Sequence, residues 1–337
     1  NQSGLGLVRF KDDGTLDPSF GEDGRIVHHA EGLSALSQRL VPGVFALGGA
    51  GGVYPGEQGM FYGLTSAPYG PVGTVMRCRA DGRLDPGFNG NGMATIEHPS
   101  ATWGTAANSM VLMPDGCIVV VGTINPLLQR IQRVYFCRLH PDGSLDETYG
   151  ENGYAIFDYG ALGLPQENVI QMKLNHAALM MDGTVVACGD VMTGVDPHSY
   201  RFHGLVISAD SSGRLNGSFN NGRPVMFGLL GDVEADFRLG GIGVQSDGRI
   251  VCGGGVTDLS SRDREMLAVR FLPTGSVDSS FAGRGWFTSR PYGARVTFVS
   301  DVTIEPAGNI LLTGAGGSDY GVNTQEGFVF RLGTASH

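Results

Sequence analysis

The stretch "DDGTLDPSFGEDG" (Asp12–Gly24) holds five acidic residues in thirteen and two Asp-Gly pairs. Alone, it suits a calcium loop, a carboxylate active site or a structural turn. Its recurrence decides among them. It returns as "DGRLDPGFNGNG" (81–92), "DGSLDETYGENG" (142–153), "SGRLNGSFNNG" (212–222) and "TGSVDSSFAGRG" (274–285). The acidic position of each core falls at Asp17, Asp85, Asp146, Asn216 and Asp278, at intervals of 68, 61, 70 and 62 residues. A second motif alternates with it: "MPDGCIVVVG" (113–122), "MMDGTVVACG" (180–189), "QSDGRIVCGG" (245–254) and "EPAGNILLTG" (305–314), with a worn copy, "VPGVFALGG", at 41–49. Repeats that run through nearly the whole chain describe one repeat domain over 1–337 rather than two domains.

A calcium loop needs six to eight converging oxygens, usually from several carboxylates. "ADGRLD" and "PTGSVD" place a basic residue or no ligand where those oxygens belong. No metal site and no cofactor are expected. In four of the five units an arginine instead precedes the motif glycine by five residues, giving the pairs Arg9 with Asp17, Arg77 with Asp85, Arg138 with Asp146 and Arg270 with Asp278. In the fourth unit the strand reads "GLVISAD" without the arginine, and the acid has become Asn216. Joint loss is what a structural ion pair requires, because one orphaned buried charge costs about 3–5 kcal/mol. The motif aromatics Phe20, Phe88, Tyr149, Phe219 and Phe281 are expected to plug the gap between neighbouring units.

Each unit offers four short β-rich runs, for example "NSMVLM" (108–113), "CIVVVG" (117–122), "VYFCRL" (134–139) and "YAIF" (154–157), bounded by Gly, Asp or Pro turns. The 55 glycines, about twice the usual share, fit many tight turns. Four strands in roughly sixty residues is the arithmetic of a β-propeller blade. The expectation is an all-β chain forming a single propeller of five four-stranded blades, with the N-terminal strand "GRIVHH" (24–29) completing the last blade. A six-blade ring with one partial blade is the alternative, since one third strand, 5–10 or 328–332, is surplus.

The alternation of "PDGxIVxGG" with "RFxxDGxLDxSFGxxG" resembles the delta-60 repeat family of bacterial β-propeller-like proteins. The fourth acidic motif and the worn hairpin at 41–49 depart from its pattern. The family is defined by its repeat, so the resemblance implies architecture and hardly any activity.

A net charge of −10 argues against nucleic acid as a partner. No apolar window is long enough to span a membrane. Cys78, Cys117, Cys137, Cys188 and Cys252 all sit in strand-like runs and read as free buried thiols, which favours a reducing cytoplasm; export or a bacterial cell surface is the alternative. The chain starts at Asn1 without a signal-peptide pattern, so its compartment is not read there.

The "PDG" and "LDxSFG" turns are short and repetitive, which suits scaffold. The connections on the opposite face vary, and loops of that kind carry function. One of them, 50–73, contributes the aromatic candidates Tyr54, Phe61, Tyr62 and Tyr69, with Trp103 from the connection 97–105. Polar residues near the starts of the inner strands, Asn108, Asn175, His176, Asp236, Arg238 and Asp301, would converge on a central funnel. No Gly-x-Ser-x-Gly elbow, phosphate loop or Cys-x-x-Cys appears, so no catalytic residue is assigned. The leading expectation is a non-catalytic module binding a protein or glycan on the variable face. A lectin or glycoside-processing enzyme with funnel carboxylates is the first alternative, and a structural repeat scaffold is the second.

Overall fold

The computed structural model describes residues 4–29, 44–46, 52–66, 72–99, 101, 104–124, 132–163, 169–194, 199–230, 233–318 and 326–333. They fall into two compact units, Asn1–Ile156 and Phe157–His337.

In the first unit, β1 (Gly4–Arg9), β2 (Arg25–His29) and β3 (Val44–Ala46) form a three-stranded sheet in the order β2-β1-β3. Two four-stranded antiparallel sheets follow in simple chain order. The first joins β4 (Gly52–Pro55), β5 (Phe61–Ser66), β6 (Gly73–Cys78) and β7 (Met93–Ile96). The second joins β8 (Thr105–Leu112), β9 (Ile118–Ile124), β10 (Arg133–Leu139) and β11 (Tyr154–Phe157).

The second unit opens with the sheet β12 (Val169–Leu179), β13 (Val185–Thr193), β14 (Arg201–Ala209) and β15 (Val225–Phe227). The short β16 (Leu229–Leu230) pairs with β17 (Val233–Val244), which continues into β18 (Ile250–Asp258), β19 (Arg264–Phe271) and β20 (Trp286–Ser289). The last meander is β21 (Val296–Ile304), β22 (Ile310–Gly317) and β23 (Glu326–Leu332), joined to β19 by one parallel bridge, Arg264 to Val296. Four-stranded antiparallel meanders in chain order are the sheet type from which propeller blades are built.

One expectation is corrected: Val44–Ala46, inside the worn copy at 41–49, pairs as β3 with β1, and β4 with β5 makes the hairpin that this copy was expected to make. The N-terminal strand β2 is hydrogen-bonded to β1, which lies at the centre of the three-stranded sheet.

The acidic motifs are turns. In the hairpins an Asp Oδ1 accepts the N–H two residues on, at 2.9 Å for Asp13 and Thr15 and 3.0 Å for Asp182 and Thr184. In the "LDxSFG" copies one oxygen does the same, as Asp146 Oδ1 does for the Thr148 N–H at 3.0 Å. The second oxygen takes the arginine: Arg9 to Asp17 at 2.8 Å, Arg77 to Asp85 at 2.8 Å, Arg138 to Asp146 at 2.6 Å and Arg270 to Asp278 at 2.8 Å. Burial alone would raise the Asp146 carboxyl; the Thr148 hydroxyl and Arg138 outweigh it and hold it below the usual carboxylate range.

The same motif staples consecutive repeats. Phe20, Phe88, Tyr149 and Phe219 are buried, and each of the four arginines lies over its own motif aromatic, at 4.9 Å for Arg9 and Phe20 and 4.8 Å for Arg270 and Phe281. Phe20 packs against Gly82 of the next repeat, Phe88 against Gly143, and Phe219 against Gly275. A Cβ on Gly143 would stand 2.9 Å from the Phe88 ring, so the motif glycine serves its turn, at φ +87°, and the preceding repeat's aromatic together. Backbone bonds run alongside: Gly21 N–H to Asp81 O at 2.9 Å and Asn220 N–H to Thr274 O at 2.8 Å. Fully burying each such ring contributes about 1.5–3 kcal/mol.

Candidate functional site

Four inner strands carry an irregularity at the same place. The ladder slips between Ala107 and Ser109 on β8, Leu174 and His176 on β12, Leu239 and Gly241 on β17, and Val299 and Asp301 on β21. A bulge leaves one residue unpaired and re-aims its neighbours. The bulged residues are Asn108, Asn175, Gly240 and Ser300.

In the second unit three of these bulges meet. A Cβ on Gly241 would stand 2.6 Å from Asp301 Cα, so glycine permits β17 and β21 to approach this closely. His176, buried on β12, brings its Nδ1 to 3.7 Å from Asp301 Oδ1. Asn175 Nδ2 donates to Leu239 O at 2.7 Å and to Asp190 Oδ1 at 3.3 Å. The bulge on β12 thus hands one carboxylate to each of two consecutive side chains.

Asp190 lies on β13 and is only 8% exposed. Burial pushes its carboxyl up from the usual range, against the opposing charges of Lys173 and Arg238 and the Asn175 hydrogen bond. Further along β17, Asp236 Oδ1 accepts the Phe202 N–H at 3.0 Å, and the Arg238 guanidinium lies 3.4 Å from the Phe202 ring centroid. His203 Nε2 is 2.8 Å from Thr193 Oγ1. Burial holds the His203 imidazole below its ordinary pKa, with Asp236 opposing and Arg201 assisting. A carboxyl inclined to keep its proton, an imidazole inclined to lose its own, and further carboxylates are the parts of general acid–base chemistry.

Of the sequence candidates, Asn175, His176, Asp236, Arg238 and Asp301 all belong to this cluster or its β17 extension. Asn108 sits on the β8 bulge of the first unit. Asp190, Lys173 and Phe202 were missed. A lone carboxylate inside the apolar run "VVACGDV" was a readable signal, because an unpaired Asp is seldom fully buried.

The aromatic candidates are corrected. Tyr54, Phe61 and Tyr62 are not loop residues: they lie on β4 and β5, between 2% and 7% exposed. The Tyr54 hydroxyl accepts the Met110 N–H at 3.2 Å and sits 3.3 Å from Ser109 Oγ, which ties β4 to β8. Tyr69 and Trp103 lie outside the described residues.

All five cysteines are buried free thiols, and burial pushes Cys78 and Cys137 up to about 12, which removes them as nucleophiles. Among the described residues no three His, Cys, Asp or Glu side chains group to hold a metal ion. Among the described residues no helix is long and apolar enough to cross a membrane.

Three segments, 1–20, 114–149 and 245–281, match a family described as a domain of unknown function (DUF5122) beta-propeller. No curated protein is significantly similar to the chain. Similar solved structures include an alpha-L-arabinofuranosidase from Lactobacillus brevis, at 12% identity over 83% of this chain and 88% of that one, with a TM-score of 0.40. An endo-arabinase from Bacteroides thetaiotaomicron shares 9% identity over 84% and 93%, with a TM-score of 0.44. A gluconolactonase from Xanthomonas campestris shares 15% over 93% and 84%, with a TM-score of 0.41. The expectation of a non-catalytic binding module is corrected at this point: the glycoside hydrolases among these structures stand on the side of the carbohydrate alternative. At such identities and scores they carry no argument about residues, and the chemistry of this chain rests on its own side chains. The matched segments, the repeats and the four-stranded meanders together describe an all-β protein of β-propeller type.

Proposed function

We propose that the chain is a carbohydrate-active enzyme of β-propeller type that hydrolyses glycosidic bonds at the inner-strand cluster of Phe157–His337. The observation that supports it is the pairing of Asn175 with Asp190 and of its neighbour His176 with Asp301. One bulge thereby gathers a carboxyl biased toward its protonated form and a second carboxylate held beside an imidazole.

Asp190 gives its proton to the leaving-group oxygen as the bond from the anomeric carbon to that oxygen breaks. Asp301 takes a proton from the attacking water, whose oxygen joins the anomeric carbon. Two carboxyl groups in these two roles suffice for glycoside hydrolysis. Lys173, Arg238 and Asn175 orient the donor and the sugar hydroxyls.

The test is release of reducing ends or nitrophenol from a panel of neutral polysaccharides, arabinan among them, and of 4-nitrophenyl glycosides. Turnover of at least one substrate is expected, with loss on Asp301→Asn. A panel without turnover by the folded protein contradicts the reading.

A further inference from the structure

A second site stands on the other face of β17. Ala235 and Phe237 alternate with Asp236 and Arg238 along that strand, so they face away from the inner cluster. Together with Glu265, Asp258, Arg290 and Trp286 they line a cavity of about 230 Å³. Beyond the Arg290–Arg295 segment lies a second cavity of about 500 Å³, lined by Tyr292, Thr297, Glu326 and Phe328 among others.

One carboxylate fixes the segment between them. Asp263 Oδ2 takes Arg290 Nη1 at 3.0 Å, and its Oδ1 takes Arg295 at 2.9 Å. Arg290 also reaches Glu265 Oε1 at 2.9 Å. With both ends held, the turn Pro291–Gly293 presents Tyr292 outward, 90% exposed and at φ +55°. A bulky residue in the left-handed region is a strained arrangement that concentrates at ligand-contacting sites. Nothing in the packing requires an aromatic there, because the ring is almost wholly in solvent.

The lining also specifies a class of ligand. Trp286 lines the first cavity with the Arg284 guanidinium over its ring at 5.1 Å, and Tyr292 supplies the exposed aromatic face. Three carboxylates, Asp258, Asp263 and Glu265, and two guanidiniums, Arg284 and Arg290, line the first cavity, with Arg290 paired to Asp263 and Glu265, so no concentrated positive charge awaits a phosphate there. Asp258 is committed to its own turn, where Ser260 and Ser261 hold its carboxyl near 2. Paired guanidinium and carboxylate groups at fixed positions offer donors and acceptors side by side. An aromatic face beside them suits a neutral polyhydroxyl ring, apolar on its faces and hydroxylated at its edge.

We propose that the two cavities form an accessory binding site for a neutral oligosaccharide, one sugar unit against Trp286 and Arg290 and the next across Tyr292. The proposal rests on the carbohydrate reading above but uses none of its catalytic residues. It is tested by isothermal titration of the full chain with neutral hexasaccharides of glucose, xylose, mannose and arabinose. Binding of at least one is expected, weakened about tenfold or more by Tyr292→Ala, which leaves the fold intact because the ring is exposed, and by Arg290→Gln. Asp190→Asn keeps that binding, so loss of turnover and loss of this site are separately visible. No binding by the wild type, or binding lost in Asp190→Asn and unchanged in Tyr292→Ala, overturns the proposal.

Discussion

Asn216 Nδ2 donates to Ser208 Oγ across 3.3 Å, eight residues apart, where the other repeats join Arg to Asp at the same separation. The fourth repeat has exchanged an ion pair for a neutral hydrogen bond at one position of the fold. Ser208 is 3% exposed, so a lone charge there meets the desolvation that the pair elsewhere offsets. Ser208→Arg alone is expected to destabilise the protein, and Ser208→Arg with Asn216→Asp to recover much of the loss. A double-mutant cycle by urea denaturation should give a coupling of about 1–3 kcal/mol; additive losses would contradict the equivalence.

The carboxyls of Asp17, Asp85, Asp146 and Asp278 all lie below the ordinary value. The Ser19 hydroxyl leads for Asp17, while hydrogen bonds and arginines outweigh burial for the others. Each binds its proton more weakly folded than unfolded. Their stabilisation is complete above the unfolded value of about 4 and fades as pH falls through the depressed ones. Asp146→Asn should therefore cost on the order of 3 kcal/mol at pH 7 and much less at pH 2. Urea midpoints of both proteins at the two pH values check it, and an equal gap at both contradicts it.

Gly14 and Gly143 separate the two duties of the motif glycine. Both hold positive φ, +82° and +87°, but a Cβ on Gly14 meets nothing within 4 Å while one on Gly143 meets the Phe88 ring. Gly14→Ala should cost about 1 kcal/mol for its backbone alone. Gly143→Ala should cost at least about 1 kcal/mol more for overpacking. Equal losses in thermal unfolding would remove the stapling role of Phe88.

The repeat hairpins were legible because an Asp-Gly turn states its chemistry within four residues, and the Arg–Asp pairs because the fourth repeat lost both partners. The hairpin β4–β5 was not, since "YPGEQGMF" closes it without an Asp-Gly turn and its Gly and Pro content imitates a loop. Reading Tyr54, Phe61 and Tyr62 as loop aromatics followed from that error. Inner-strand polar residues could be found by their alignment across repeats, but the bulges of the second unit meet through the close approach of Gly240 and Gly241 to β21, which no motif announces. Trp286, Arg290 and Tyr292 escaped altogether, because the two cavities they line draw on strands β17 to β23 and one turn with no shared motif.

Burial raises the Asp190 carboxyl, so the folded chain holds this proton more tightly than the unfolded chain. Its contribution to stability declines as pH rises from the unfolded value of about 3.8 through the raised one. Asp190→Asn removes the decline. The stability difference, variant minus wild type, should grow between pH 4 and pH 8; a constant difference places the carboxyl at an ordinary value.

The central claim is that Asp190 supplies the proton in glycosidic-bond cleavage, and its most direct measurement is kcat of wild type against Asp190→Asn on one turned-over glycan at pH 6. General acid catalysis contributes about 10²–10⁴-fold, so a loss of at least a hundredfold with an unchanged unfolding transition is the expected result. Equal kcat in the two proteins, or no turnover by the wild type, would contradict the account.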